Sequence, residues 1–157
     1  HWGLTTISRA LGFMHSIGMV HGRLSSASIF VTPGGDWKLA SFEAATQFAA
    51  VSTAYPPLAC LQPQKYAAPE VARGSWSEVA AAPVYAMDSW SLGCVLQEVH
   101  AGAFASPEQL RDTSSIPKAL LPAYQKLLSG APGSRAPAGE IQNFPVIQKS
   151  KFVDLNN

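Results

Sequence analysis

A chain of 157 residues, 47% hydrophobic and only 13% charged, carries enough apolar material for one buried core and is not a disordered segment. Its net charge of +1, from 11 basic and 10 acidic residues without a basic block, gives no support to nucleic-acid binding through a basic surface. No apolar run reaches the roughly 18 residues that a membrane span needs.

Cys60 and Cys94 lack the spacing of a metal site or a redox pair and read as reduced, mostly buried thiols. Histidines at positions 1, 15, 21 and 100 make no ligand pattern, so no metal is expected. The chain opens at His1 directly in helical sequence, without a signal peptide, and reads as an excerpt from something longer.

In chain order, Leu4 to Ser16 predicts a helix with an apolar face of Ile7, Leu11, Met14 and Ile17, stopped by Gly18. Ser28–Thr32 and Trp37–Ala40 flank the turn residues Pro33-Gly34-Gly35-Asp36 and predict a β-hairpin. Thr46 to Lys65 has no periodicity and is broken by Pro56, Pro57 and Pro63, which predicts a long functional loop. A short helix starts at Pro69.

Met87 to His100 is apolar around almost its whole circumference through Trp90, Leu92, Cys94, Val95, Leu96 and Val99, the pattern of a central helix. Asp88 or Ser89 is its predicted N-cap. Further helices are predicted from Ser106 and over Lys118–Leu128. A small-residue loop follows at 130–139, then a closing helix over Glu140–Leu155 that breaks near Pro145. No internal repeat is visible.

Four markers in this order resemble the large C-terminal lobe of the protein kinase fold. Val20-His21-Gly22-Arg23-Leu24 with Ser28-Ile29-Phe30-Val31 resembles the catalytic loop HRDLxxxN and its strand; Ser41-Phe42-Glu43 stands where DFG belongs. Ala68-Pro69-Glu70 is an intact APE, and Asp88-Ser89-Trp90-Ser91-Leu92-Gly93 an intact DxWSxG. The phrases SIFVTPGGDWKLASFE, DSWSLGC, IPKALLPAY and KFVDLN are similar to the Scy-like, or N-terminal kinase-like, pseudokinases. The implied fold is α+β and mainly α-helical: a kinase-like C-lobe over 1–157 with a small β-hairpin and the N-lobe absent from this chain. Within it, 44–67 is an activation-segment-like loop and 130–139 the loop before the closing helix.

Phosphoryl transfer needs a carboxylate for the substrate hydroxyl, metal-holding oxygens and a lysine on the phosphates. By the resemblance, the catalytic aspartate aligns with Arg23, the loop lysine with Ser25 and the metal-holding asparagine with Ser28. The DFG aspartate aligns with Ser41 and its glycine with Glu43. A guanidinium accepts no proton, and a serine lacks the anionic oxygen that magnesium prefers. One lost electrostatic group commonly costs about 2.7–4 kcal/mol of barrier lowering. The expectation is therefore a catalytically inactive domain without cofactor. The alternative is a divergent kinase that binds ATP and keeps weak phosphotransfer.

The resemblance gives the remaining motif residues structural roles. His21 and Phe42 stack as packing, Asp88 holds the catalytic-loop backbone, Trp90 and Gly93 belong to the central helix, and Glu70 pairs with Arg135. Gly22 replaces the arginine that would receive a phosphate from Ser52, Thr53 or Tyr55, which argues against that switch. Ser25, Ser26 and Ser28 sit in no G-x-S-x-G elbow, so a serine hydrolase is not indicated. Asp36 and Glu43 lie at turns, where acidic residues are ordinary.

The implied function is a binding or scaffold module in Golgi–ER vesicle traffic, with vesicle-coat or trafficking proteins as partners. The implied location is cytoplasmic, peripheral at Golgi membranes. A small lobe is expected before His1 and helical repeats after Asn157. The face that would meet the small lobe is expected to be exposed in this chain.

Overall fold

Fifteen residues, Trp2–Ser16, form the first helix, α1, in the computed structural model, which describes residues 2–144. Leu4, Ile7, Leu11 and His15 occupy its inward face at steps of three and four. The face predicted through Met14 and Ile17 is corrected: Met14 is half-buried, and Ile17 lies past the helix end, 59% exposed. The chain reverses at Gly18, whose φ of 74° is open to glycine at no cost.

Two small antiparallel pairs follow. β1 (Met19–Val20) pairs with β4 (Thr46–Gln47), and β2 (Ile29–Val31) with β3 (Trp37–Leu39). The β2–β3 hairpin matches the turn chemistry of Pro33–Asp36. The β1–β4 pair brings together residues far apart in sequence and has no local signal.

The segment predicted as a structureless loop is a chain of short turns. It holds 3-10 turns at Phe48–Ala50, Pro56–Leu61 and Gln64–Tyr66 and one helical turn, α2 (Val51–Ala54). Proline excludes a long helix here, but Val51, Tyr55 and Tyr66 still bury their side chains. α3 (Pro69–Ala72) and α4 (Trp76–Ala81) lead into α5 (Ala86–Ala101).

Every residue of α5 from Ala86 to Gln97 is buried, which places the helix at the centre of the core. Val99, predicted as part of its apolar circumference, is 54% exposed where the helix leaves the core. Gly93 lets α6 (Leu121–Leu127) and the residue after it approach: a Cβ there would stand 2.6 Å from Leu128 Cγ. Leu4, Ile7, Leu11, Leu24, Leu92, Leu96, Leu120 and Leu127 form one continuous cluster with these elements.

Two corrections concern helix ends. α5 starts at Ala86 with Tyr85 before it, so Asp88 and Ser89 lie inside the first turn rather than at the N-cap. The Asp88 carboxylate is engaged by a distant loop, described below, and so does not cap its own helix. The helix predicted from Ser106 is a 3-10 turn, Pro107–Arg111, and α6 is shorter than the Lys118–Leu128 predicted for it. Glu140 opens no α-helix: Ala138–Asn143 is a 3-10 turn packed on α1, and residues 145–155 of the predicted closing helix lie outside the described residues. Cys94 is buried but Cys60 is exposed, so only one thiol matches the predicted burial.

Candidate functional site

The loop between β1 and β2 is built around one buried carboxylate. Asp88 Oδ2 accepts a hydrogen bond from the His21 backbone N–H at 2.8 Å, and Oδ1 accepts one from Gly22 N–H at 3.0 Å. His15 Nε2 contributes a third contact to Oδ2 at 2.8 Å. Burial raises the Asp88 pKa, but the His15 hydrogen bond, the two neighbouring imidazoles and the His21 N–H outweigh it, and the net shift is downward. The first turn of α5, the end of α1 and the loop are thereby locked together.

His21 is fully buried and tied at both ring nitrogens. Its Nε2 lies 2.8 Å from the Ala40 carbonyl, and its Nδ1 accepts the Arg23 N–H at 3.2 Å, which defines an Nε2-protonated ring. Phe42, itself 52% exposed, meets it edge-on, with ring centroids 5.4 Å apart. The loop and the segment after β3 therefore share one histidine as a common anchor.

Gly22 has φ 72°, and Tyr55 explains why nothing larger fits. The Tyr55 ring lies where a Gly22 side chain would go: a Cβ there would stand 2.6 Å from Tyr55 Cε2. The Tyr55 hydroxyl donates to the Gly22 carbonyl at 2.7 Å, and Trp76 packs edge-on against its ring. Burial pushes the Tyr55 hydroxyl pKa well above its ordinary value.

Four of the residues that the resemblance sets at the chemical positions, Arg23 with Glu43 and Ser25 with Ser28, are engaged with one another. Arg23 Nη1 donates to Glu43 Oε2 at 2.9 Å, a partly exposed ion pair. Glu43 is held below the usual carboxylate range by its own backbone N–H and by Arg23. Ser28 is 1% exposed; its hydroxyl donates to the Ser25 carbonyl at 2.8 Å and accepts the Ser25 N–H at 2.9 Å. Both of its hydrogen-bonding roles are used within the loop. Ser41 sits in the left-handed region at φ 61°, ψ 60°, a conformation costly for a non-glycine residue.

A divalent cation, which the resemblance implies for an active kinase, fits this donor set poorly. Hard cations take several oxygens, preferably anionic. Here the nearby carboxylate, Glu43, is paired with a guanidinium, and Ser28 uses its hydroxyl within the loop.

Glu70 and Arg135 meet in the core, both at most 2% exposed. Nη1 bonds Oε1 at 2.6 Å and Nη2 bonds Oε2 at 2.8 Å. The guanidinium also donates to the Ser129 and Ala86 carbonyls and lies 5.1 Å over the Trp90 ring. α3, α5 and the segment after α6 are joined through this one side chain.

A second cluster escaped the sequence analysis. Lys65 bonds Glu98 and the Phe104 carbonyl, each at 3.0 Å, and lies over the Tyr66 and Phe104 rings. The Tyr66 hydroxyl donates to Glu98 and contacts Ser26 Oγ at 3.1 Å. Burial and the Glu98 carboxylate push the Tyr66 hydroxyl up to about 12. Gln62, 5% exposed, donates to the Leu24 carbonyl and Ser91 Oγ. The only local signal was the proximity of Lys65 and Tyr66 to Ala68-Pro69-Glu70; their partners are distant in sequence.

Comparison with known proteins places these features. The protein kinase domain model matches residues 3–138. A probable inactive serine/threonine-protein kinase scy1 of Dictyostelium discoideum is 31% identical over 94% of this chain. A probable CTD kinase subunit alpha homolog of Encephalitozoon cuniculi is 33% identical over 61% of it. The chain spans only 18% and 27% of the lengths of these two relatives. No helix among the described residues is long and apolar enough to cross a membrane.

Proposed function

The chain belongs to the protein kinase domain family, and from that premise we propose that it is the C-lobe of a pseudokinase that binds other proteins rather than transferring phosphate. One observation supports the reading: Arg23 and Glu43, which the motif resemblance aligns with the catalytic aspartate and the DFG glycine, form an ion pair with each other at 2.9 Å. An arginine there cannot orient a hydroxyl as a base, and its charge is already neutralised by Glu43. Ser28 and Ser41 provide no anionic oxygen for magnesium. The name of the Dictyostelium relative, an inactive kinase, supports the same reading.

In this proposal His21, Phe42, Asp88, Trp90, Gly93 and the Glu70–Arg135 pair hold the lobe in shape, and Gly22, Arg23, Ser25, Ser28, Ser41 and Glu43 are degenerate positions. The domain spans 1–157, with 44–67 as its activation-segment-like part. Vesicle-coat or trafficking proteins are the proposed partners, at the cytoplasmic face of Golgi membranes. A small lobe upstream and helical repeats downstream complete the proposed protein. The exposed Phe13, Ile17, Phe30, Val31 and Phe42 are the surface that the small lobe would cover.

The test is a thermal-shift and radiolabel assay on the full-length protein with magnesium and ATP. The expected result is no nucleotide-dependent shift and no phosphate transfer. Magnesium-dependent transfer that is abolished by changing Ser41 overturns the reading and establishes the divergent kinase instead.

A further inference from the structure

The chain of turns from Phe48 to Tyr66 is fastened to the rest of the lobe one side chain at a time. Tyr55 reaches the Gly22 carbonyl, and Gln62 reaches the Leu24 carbonyl and Ser91 Oγ. Both of these ties are neutral and buried. Lys65 is a third tie, and it carries charge.

Its ammonium lies 3.0 Å from Glu98 Oε1 and 3.0 Å from the Phe104 carbonyl, with the Phe104 and Tyr66 ring centroids at 4.8 and 5.2 Å. The Tyr66 hydroxyl donates to the other Glu98 oxygen. Burial raises the Glu98 carboxyl, but the hydrogen bonds from Tyr66 and Lys65 outweigh it and hold it below the usual carboxylate range. One ammonium thus clasps the end of the turn segment to α5 and to the residues that follow it.

Two features set this clasp apart. The Lys65 and Glu98 side chains are 30% and 12% exposed, against 0% and 1% for Arg135 and Glu70, so solutes reach the Lys65 amine. Lys65 also lines a cavity of about 440 Å³ with Gln64, Ala67 and Ala105, which leaves room beside it for a substituent. Lys38, Lys118 and Lys126 are exposed and form no salt bridge among the described residues, so loss of charge there breaks no such contact.

We propose that Lys65 is an acylation site, and that acylation by a small acyl thioester opens the clasp and frees the end of the turn segment from Glu98 and Phe104. The amine gives its extra proton to water and adds to the thioester carbonyl. The C–N bond forms, the C–S bond breaks, and the thiol leaves with the second proton. The product amide has one N–H where the ammonium had three, and no charge. The ion pair with Glu98 and the attraction to both rings are lost together. The device is independent of whether the chain transfers phosphate.

The test has two arms, both on the full-length protein. In the first, the folded protein is incubated with acetyl-CoA and its lysines are mapped by mass spectrometry. Lys65 is acetylated, and Glu98→Gln, which removes the opposing charge, raises its labelling severalfold. A Lys65 that stays unmodified while Lys38, Lys118 and Lys126 are labelled overturns the proposal. In the second arm, Nε-acetyllysine is installed at position 65 and amide hydrogen exchange is followed. Residues 62–67 and 102–105 exchange about tenfold faster, while 92–97 in α5 keep their protection. Lys65→Gln reproduces the change, and Lys65→Arg, which keeps the charge, does not. Unchanged exchange at 62–67, or equal loosening in Lys65→Arg, contradicts the device. Loosening that extends to 92–97 means general unfolding rather than an opened clasp, and overturns it as well.

Discussion

Arg135 and Glu70 form a two-point ion pair, at 2.6 and 2.8 Å, with both side chains out of contact with water. The planar guanidinium matches the carboxylate edge to edge, and its remaining donors reach the Ser129 and Ala86 carbonyls. Removing either partner leaves the other charge buried. Arg135→Met and Glu70→Gln are each expected to cost about 3–5 kcal/mol in urea unfolding. The double variant costs less than the sum, because no uncompensated charge remains. Strict additivity would show that the two do not act as a pair.

Asp88 gives the domain a specific acid sensitivity. Its folded-state pKa lies below the ordinary value of 3.8, so the unfolded chain takes up a proton at higher pH than the folded one does. Its contribution to stability is complete above that ordinary value and is lost as pH falls through the folded-state pKa. Asp88→Asn removes this contribution at neutral pH and flattens the acid limb of the stability profile. Thermal unfolding between pH 2 and 7 checks it; an unchanged acid limb contradicts the assignment.

Gly22 and Tyr55 share one space. Placing at position 22 the arginine that the resemblance expects, Gly22→Arg, meets Tyr55 Cε2 and a positive φ together, and is expected to lower stability by more than about 2 kcal/mol. Tyr55→Phe keeps the ring and loses only the hydrogen bond to the Gly22 carbonyl, at about 1–2 kcal/mol. Combining Gly22→Arg with Tyr55→Ala frees the space, so the arginine costs less on that background. Equal costs on both backgrounds would mean that Tyr55 is not the obstacle.

Ser41 holds a left-handed backbone with a side chain that pays a steric cost there. Ser41→Gly is expected to raise stability by about 0.5–1 kcal/mol in unfolding experiments, the Cβ clash removed being partly offset by the freer unfolded chain. Destabilisation would show that the Ser41 side chain makes a contribution larger than the strain.

The hairpin was legible because Pro33-Gly34-Gly35-Asp36 is a local turn signal flanked by two short β-type runs. The central helix was legible because a helix buried from Ala86 to Gln97 has to be apolar on every side. The end of α1 misled, since His15 and not Met14 or Ile17 faces inward; a buried histidine carries no apolar signature until its partner Asp88 is known. The 3-10 turns at Pro107–Arg111 and Ala138–Asn143 were read as longer helices, because short windows do not separate a turn fixed by packing from one that continues.

By itself the sequence determined the class of fold and its family motifs, and it set a cation at position 23 and neutral hydroxyls at Ser28 and Ser41, all of which are matters of residue identity and order. The tertiary structure alone decided what those residues do with one another. It turned the Asp88 carboxylate onto the His21 and Gly22 amides, closed Arg23 on Glu43, filled the space beside Gly22 with Tyr55 and gathered Lys65, Tyr66 and Glu98. Each of these contacts joins positions well separated along the chain. Local propensity has no information about such pairs; burial and the need to satisfy every buried polar group select them once the core has closed.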